Sequence, residues 1–348
     1  MRIVSLQLLG VSGARTAPTV RLRLRIVLLL GGTALLGLLL WRLGPADILD
    51  ALGRTGWYFV LVLLLGGAHH ATRALAMQAC VVRIDVLRYR DALAIRLSGE
   101  AIQSLTFTGP VLAEPTKAWL LETHGLTLKE GFAATITEYL IYMLVTAAMS
   151  IAGLVYLIAH FEPPATIRAV GIGIVSLCGT FLIASAIAIA RRFYLIGTII
   201  AGLARVGVLR GRLTPDMTWI NRMEDLLLVI LRDSPDRFVM IAALEIAAQA
   251  LLVFELFWLL RALDVMASGL SVFAIEASLK FFEFAFLFVP LQLGVSEGAY
   301  ALIFGVMGLP LAAGFALAFL RRARSLIIAS VGLAALAVMT RRRERSPA

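Results

Sequence analysis

Cysteine, histidine and charge are scarce in this sequence, and each scarcity excludes a class of protein. Only two cysteines occur, Cys80 and Cys178, both in or beside apolar segments and without metal-ligand spacing. They rule out a disulfide-stapled fold, say nothing of redox compartment, and read as packing residues. The four histidines include one adjacent pair, His69-His70, which lacks the i, i+4 spacing and the intervening carboxylate of a helical zinc site. No metal and no cofactor is therefore expected. Charged residues make up 16% of the chain and no ATP-binding loop occurs among them, so the expected driving force is a gradient or the substrate's own distribution. Polar linkers, low-complexity stretches and a recognisable soluble domain are missing as well. The net charge of +10 would suit nucleic acid, yet the basic residues are dispersed between apolar runs, as the positive-inside rule requires of cytoplasmic loops.

What remains is hydrocarbon. Sixty per cent of the 348 residues are hydrophobic, and several runs reach the roughly 20 residues that span a bilayer. The expected class is an all-α polytopic membrane protein, one transmembrane domain over 1–348, in a bacterial inner membrane with both termini cytoplasmic. A basic tail precedes a first helix at 26–41, and no small-residue cleavage site follows it, so it is expected to stay attached. Asp47 caps a short surface helix, and a second span runs from Trp57 to about Cys80, carrying His69, His70 and Arg73 toward its cytoplasmic end. A span over 131–158 reaches an outside loop at 160–164, and 169–190 returns inward. Seven arginines in 191–236 mark a cytoplasmic loop. Thr214-Pro215 and Ser234-Pro235 each read as an N-cap followed by proline at the first helical position. One helix, 215–231, is expected to lie in the headgroup plane, and spans are expected over 237–260 and 311–340.

Two stretches interrupt the hydrocarbon in the same way. Residues 107–117 hold Gly109-Pro110, Glu114 and Lys117, and residues 288–298 hold Pro290, Gly294, Glu297 and Gly298. Proline removes a backbone donor, and a mid-bilayer carboxylate costs roughly 2.5–3.5 kcal/mol on insertion scales. Backbone of this kind survives at membrane depth only inside protein or beside water. Each stretch is read as a helical hairpin that enters and leaves on one face, the first from inside and the second from outside. The halves 57–158 and 237–340 then have inverted topology. Register agrees: an offset of 180 aligns Pro110 with Pro290, Arg96 with Glu276, Glu100 with Lys280 and His69 with Gln249. Beyond the breaks an offset of 183 aligns Glu114 with Glu297 and Glu138 with Arg321. The charges Arg96, Glu100, Lys117, Glu276, Lys280, Glu283, Glu297 and Arg321 must pair with one another or line a wet cavity. Glu100 and Lys280 are expected to meet as a cross-half pair. Arg322, Arg324 and Lys117 lie near enough to a surface to snorkel. Half-helix N-termini at the breaks suit an anionic headgroup. Of Glu245 and Glu255, in the 237–260 span, Glu245 is the proton-coupling candidate and Glu255 a boundary residue.

The one enzymatic pattern, Gly294-Val295-Ser296-Glu297-Gly298, matches a nucleophile elbow, but an elbow needs a strand, a tight turn and a helix, and no strand is expected here. The chain is not expected to be an enzyme. At these positions it resembles the flippase-like membrane region of lysylphosphatidylglycerol synthases and related free-standing proteins, some associated with hopanoid genes. The resemblance rests on Pro110 through Glu114 to Lys117, then Glu138, then Pro290 through Gly294-Val295 to Glu297, and finally Arg321 or Arg322. Ala113 stands where that family has glycine, and Tyr139 where arginine often follows the second glutamate. No aminoacyl-transfer domain is expected, so the resemblance implies movement of a lipid between leaflets without its synthesis. Phospholipid, polyprenyl phosphate and hopanoid are the candidate substrates, and an ion-coupled transporter of a small solute is the alternative. The path is expected to include Arg96, Glu100, Pro110, Glu114, Lys117, Glu138, Lys280, Glu283, Pro290, Gly294, Glu297, Arg321 and Arg322. Lipid substrate apart, a homo-oligomer and a separately encoded lipid-modifying enzyme are the candidate partners, and nucleic acid is excluded.

Overall fold

The computed structural model describes residues 56–106, 109–194, 197–198, 200, 202, 217–286 and 289–345. The expected first helix, the Asp47 cap, the Thr214 cap and much of the basic loop lie outside these residues. Ten α-helices make up the described fold: α1 (Trp57–Ala79), α2 (Tyr89–Leu105), α3 (Pro110–Leu121), α4 (Leu128–His160), α5 (Ala165–Ala190), α6 (Met217–Leu231), α7 (Pro235–Ala262), α8 (Gly269–Ala285), α9 (Val295–Met307) and α10 (Leu311–Arg345). Five of them, α1, α4, α5, α7 and α10, are long and apolar enough to cross a membrane, which makes this a multi-pass membrane protein.

Local chemistry sets the boundaries. Thr127 and Glu130 form a capping box at the start of α4: the Glu130 N–H donates to Thr127 Oγ1 at 3.3 Å and the Thr127 N–H to the Glu130 carboxylate at 2.7 Å. Pro235 stands at the first position of α7 as expected, but Ser234 makes no side-chain cap. Its ψ of 70° is not the extended setting that delivers an N-cap hydroxyl to the first turn. Both breaks are present. Between α2 and α3 the chain extends at Thr106 and turns at Gly109, whose φ of +49° is open to glycine. Between α8 and α9, Pro290–Gln292 form one tight turn with φ of +48° at Leu291 and +50° at Gln292.

Packing pairs map onto themselves when the halves are exchanged, α1 with α7, α2 with α8, α3 with α9 and α4 with α10. α1 lies along α7; α2 packs on α10 and α8 on α4; α3 packs on α4 and α9 on α10. Small residues permit the two crossed contacts. A side chain on Gly153 of α4 would strike Ala277 of α8, and one on Gly332 of α10 would strike the backbone of Leu97 on α2; Leu97 and Ala277 stand 180 residues apart. α5 packs on α4 alone among its stronger contacts and leaves Val170, Ile172, Leu177 and Ile183 exposed, as a lipid-facing helix does. Cys80 is buried in the core as a packing residue, whereas Cys178 sits half-buried on this peripheral helix.

Two apolar cores hold the ends of the bundle. One gathers Met77, Leu121, Leu231, Ile241 and Met339; the other gathers Phe59, Val62, Leu260, Ile275 and Leu317. Arg73 on α1, Glu245 and Glu255 on α7, and Arg321, Arg322 and Arg324 on α10 fall between these named core residues along their helices, so this polar layer is sandwiched by hydrocarbon within the bundle.

Candidate functional site: two buried charge clusters about a shared cavity

Each half centres its charges on one side chain. In the first, the fully buried Glu138 of α4 accepts from Arg73 of α1 at 2.6 Å, and pairs with Lys117 of α3 at 3.3 Å and Arg96 of α2 at 3.5 Å. Each of those cations has a second carboxylate: Glu245 at 3.1 Å from Arg73, Glu114 at 2.8 Å from Lys117, Glu100 at 3.4 Å from Arg96. The Arg73 guanidinium also lies over the Tyr142 ring, 3.9 Å from its centroid, a favourable cation–π placement. Gly99 makes the room for Lys117, because a Cβ there would come within 2.7 Å of the lysine's stem.

In the second half the centre is Arg321 of α10. It pairs with Glu276 of α8 at 2.6 Å and Glu255 of α7 at 3.3 Å, and donates to the Leu252 carbonyl at 3.2 Å. Again each satellite has a second partner. Glu276 pairs with Lys280 at 3.1 Å, Lys280 with Glu283 at 2.9 Å, and Glu255 with Arg324. Beside this cluster Arg322 pairs with Glu297 at 2.5 Å and donates to Ser296 Oγ at 3.2 Å.

The expected site residues thus gather into two clusters rather than one line. Arg96, Glu100, Glu114, Lys117 and Glu138 join in the first, and Glu245 belongs there too, through Arg73. Lys280, Glu283 and Arg321 join in the second, with Glu297, Arg322 and Gly294 alongside; Pro110 and Pro290 are buried in the turns of the two breaks. Four expectations are corrected. Glu100 and Lys280 do not pair with each other, because each finds its opposite charge one helical turn away on its own helix. Lys117, Arg322 and Arg324 do not snorkel, since each is drawn inward to a carboxylate. Glu255 is no boundary residue: it is fully buried between Arg321 and Arg324. The N-terminus of α9 is not free for an anion, because the Glu297 carboxylate accepts from the Gly294 N–H at 3.0 Å.

A cavity of about 200 Å³ lies between the clusters, walled by both halves. Arg73, Glu100 and Tyr142 reach it from the first half, and Lys280, Glu283 and Arg324 from the second. A smaller space of about 80 Å³ adjoins it, sharing Glu283, Gln292 and Arg324 and bringing in Ser296, Tyr300 and Arg322. His69 and His70 also face the larger cavity; His69 Nδ1 bonds to the Ala248 carbonyl at 2.9 Å, tying α1 to α7. The carboxylates of Glu100 and Glu283 keep 24% and 33% of their side chains exposed, so they meet whatever occupies the space. Ser296 follows a tight turn and no strand precedes it among the described residues; its hydroxyl donates to Glu297 at 3.0 Å.

No curated protein and no solved structure matches the chain. A family model does, over residues 22–332, taking in both clusters, both breaks and every helix from α1 to α9. The chain belongs to the family described as the lysylphosphatidylglycerol synthase TM region.

Proposed function

We propose that this protein moves a polar-headgroup lipid between the leaflets of a bacterial inner membrane, with its two halves in inverted topology and the two broken segments as re-entrant hairpins. The observation that carries the reading is the cavity between the charge clusters. A headgroup crossing bare hydrocarbon loses its hydration without replacement, whereas here Glu100, Glu283, Lys280 and Arg324 offer it charge and hydrogen bonds at membrane depth. Those side chains are neutralised by ion pairs of their own. The family's membrane-lipid association supports the same reading. Candidate substrates are phospholipid, polyprenyl phosphate and hopanoid, and the chain performs no chemistry on them.

Proteoliposomes carrying a fluorescent phospholipid test it by chemical quenching of the outer leaflet. The purified chain is expected to expose inner-leaflet lipid to the quencher, and Glu283→Gln to slow this at least tenfold with an unchanged melting temperature. Parent-like rates in Glu283→Gln and Glu297→Gln together would remove the second cluster from the path. Uptake of a water-soluble solute without lipid movement would favour the ion-coupled alternative. Topology is checked separately with single cysteines in a cysteine-free background: Gly125→Cys is expected to react only from inside, and Pro164→Cys and Gly269→Cys only from outside. Labelling of Gly269→Cys from inside alone would defeat the inverted arrangement.

A further inference from the structure

The two clusters do not carry the same charge. Among the described residues the second is even: Arg321, Lys280 and Arg324 stand against Glu276, Glu255 and Glu283, and Arg322 is matched by Glu297. The first sets Arg73, Arg96 and Lys117 against Glu100, Glu114, Glu138 and Glu245. Assigning Glu100 to Arg96 and Glu114 to Lys117 leaves Arg73 as one cation between Glu138 and Glu245, and both of those carboxyl groups are fully buried. A buried ion without a counter-charge is so costly that the group takes up a proton instead.

Geometry assigns the surplus to one pair. Arg73 donates from a terminal nitrogen to Glu138 Oε1 at 2.6 Å and from Nε to Glu245 Oε1 at 3.3 Å, so one guanidinium draws the two carboxyl groups together. They lie within hydrogen-bonding reach of each other. Two carboxylates have no hydrogen to share, and such a contact forms only when one of them is protonated. Glu138 meets all three cations, whereas Glu245 meets Arg73 alone, and its Oε2, 3.1 Å from Arg73 Nε, accepts no hydrogen bond. Glu245 is therefore the acid and Glu138 the acceptor.

The other groups around the pair do not cancel the surplus. Tyr142 of α4 underlies the guanidinium and Cys80 of α1 lies close by, but neither is a cation. Arg237, two turns before Glu245 on α7, is bound to the carbonyls of Ala79 and Val81 at 2.6 and 2.8 Å. Glu224 of α6 accepts from the Gly197 N–H at 2.9 Å. His69, His70 and Tyr139 face the cavity, as do Lys280 of α8 and Arg324 of α10, each of the last two with a carboxylate of its own.

We propose that Glu245 and Glu138 form a proton-binding site, with one dissociable proton held between them, and that Arg73 links this proton to the occupancy of the cavity. Arg73 is the joint because its guanidinium touches both carboxyl groups and its side chain lines the cavity. An anionic headgroup in the cavity draws on the same guanidinium, loosens its hold on the carboxyl groups and favours the protonated pair. Proton binding and headgroup binding are then linked, each changing the affinity for the other by the same factor. The link rests on the reading of the protein as a lipid translocator; the proton itself does not.

Infrared spectroscopy detects the proton without reference to transport. The purified chain, isotope-labelled at glutamate and held in a maltoside detergent that has no carbonyl, is compared in light and heavy water at mildly acidic to neutral pH, where solvated carboxyl groups with pKa values of about 4 are ionised. A protonated-carboxyl band that shifts in heavy water and fades as the pH rises is expected. Glu245→Gln, whose amide keeps a donor toward Glu138, should remove the band with little change in melting temperature, and Glu114→Gln should leave it. Absence of the band from the parent chain overturns the proposal, and this outcome needs no variant to fold. A band that survives Glu245→Gln overturns the assignment to this pair. In proteoliposomes with the fluorescent phospholipid, a difference of one pH unit across the membrane is expected to shift the leaflet ratio by up to about tenfold, the limit for one proton per lipid, and Glu245→Gln to abolish the shift. Lipid movement indifferent to the gradient in the parent chain overturns the link through Arg73 and leaves translocation standing. The band without any lipid movement keeps the proton site and overturns translocation.

Discussion

The two charge clusters are built to one plan with the signs reversed. Glu138 is a carboxylate held by three cations; Arg321, at the matching place in the second half, is a guanidinium held by two carboxylates. The i, i+4 pair Arg96–Glu100 on α2 likewise becomes Glu276–Lys280 on α8. What the two halves share is therefore not a particular charge but a balance, because an unpaired ion in the low-dielectric layer between the apolar cores is costly while a paired network is tolerable. The difference between them lies in the central side chain: losing Glu138 strips one partner from three ions, losing Arg321 strips one from two.

The first way to break the comparison is to remove each centre in turn. Removing one partner of a buried pair typically costs about 3–5 kcal/mol, and Glu138→Gln is expected to reach that range. Arg321→Met should cost less, because it disturbs fewer ions and leaves Glu276 with Lys280 and Glu255 with Arg324. Thermal unfolding of the solubilised variants measures both. A larger loss for Arg321→Met would mean that the second cluster, not the first, carries the fold.

Much of this was legible beforehand, for reasons that particular residues make plain. Length and apolarity mark α4, α7 and α10, and Pro110 and Pro290 mark the breaks because no packing restores the donor a proline lacks. Glu138 and Arg321 could be found by register alone. The partners of Arg73, Glu255 and Arg324 could not: Arg73 and Glu255 are single charges in apolar runs and Arg324 is one of three clustered arginines, each has its partner on another helix, and only the packing of α1 on α7 and of α10 beside them brings Glu245 and Glu255 within reach. The start of α9 reads from the sequence as open to an anion, since a sequence shows the free N–H groups of a helix start and not the Glu297 carboxylate that turns back onto the Gly294 N–H.

Space around the clusters differs as much as charge, and Gly99 exposes it. Lys117 runs its stem over Gly99, whereas the residues at the matching offsets in the second half are Leu279 and Tyr300, both buried in an apolar core. Gly99→Ala is expected to push the lysine off Glu138 and to cost about 1–3 kcal/mol, as overpacking does. In the background of Lys117→Met, where no ion pair is left to disturb, the same change should cost measurably less. Equal losses in both backgrounds would show that Gly99 serves helix packing rather than the charge.

The smallest effect is expected where the halves come nearest to sharing a task. Glu100 and Lys280 face the same cavity from opposite halves, yet Glu100 is held by Arg96, and Lys280 by Glu276 and Glu283. With no partner in common, Glu100→Gln and Lys280→Met should add in a double-mutant cycle to within about 0.3–0.5 kcal/mol. Glu276→Gln with Lys280→Met, which dismantles one pair, should instead couple by about 0.5–3 kcal/mol. The contrast separates a cavity walled by two self-contained clusters from one bridged by a salt link at its centre. A coupling above about 1 kcal/mol between Glu100 and Lys280 would mean that the two side chains meet in the membrane, and a headgroup would then have to break that link before it could enter.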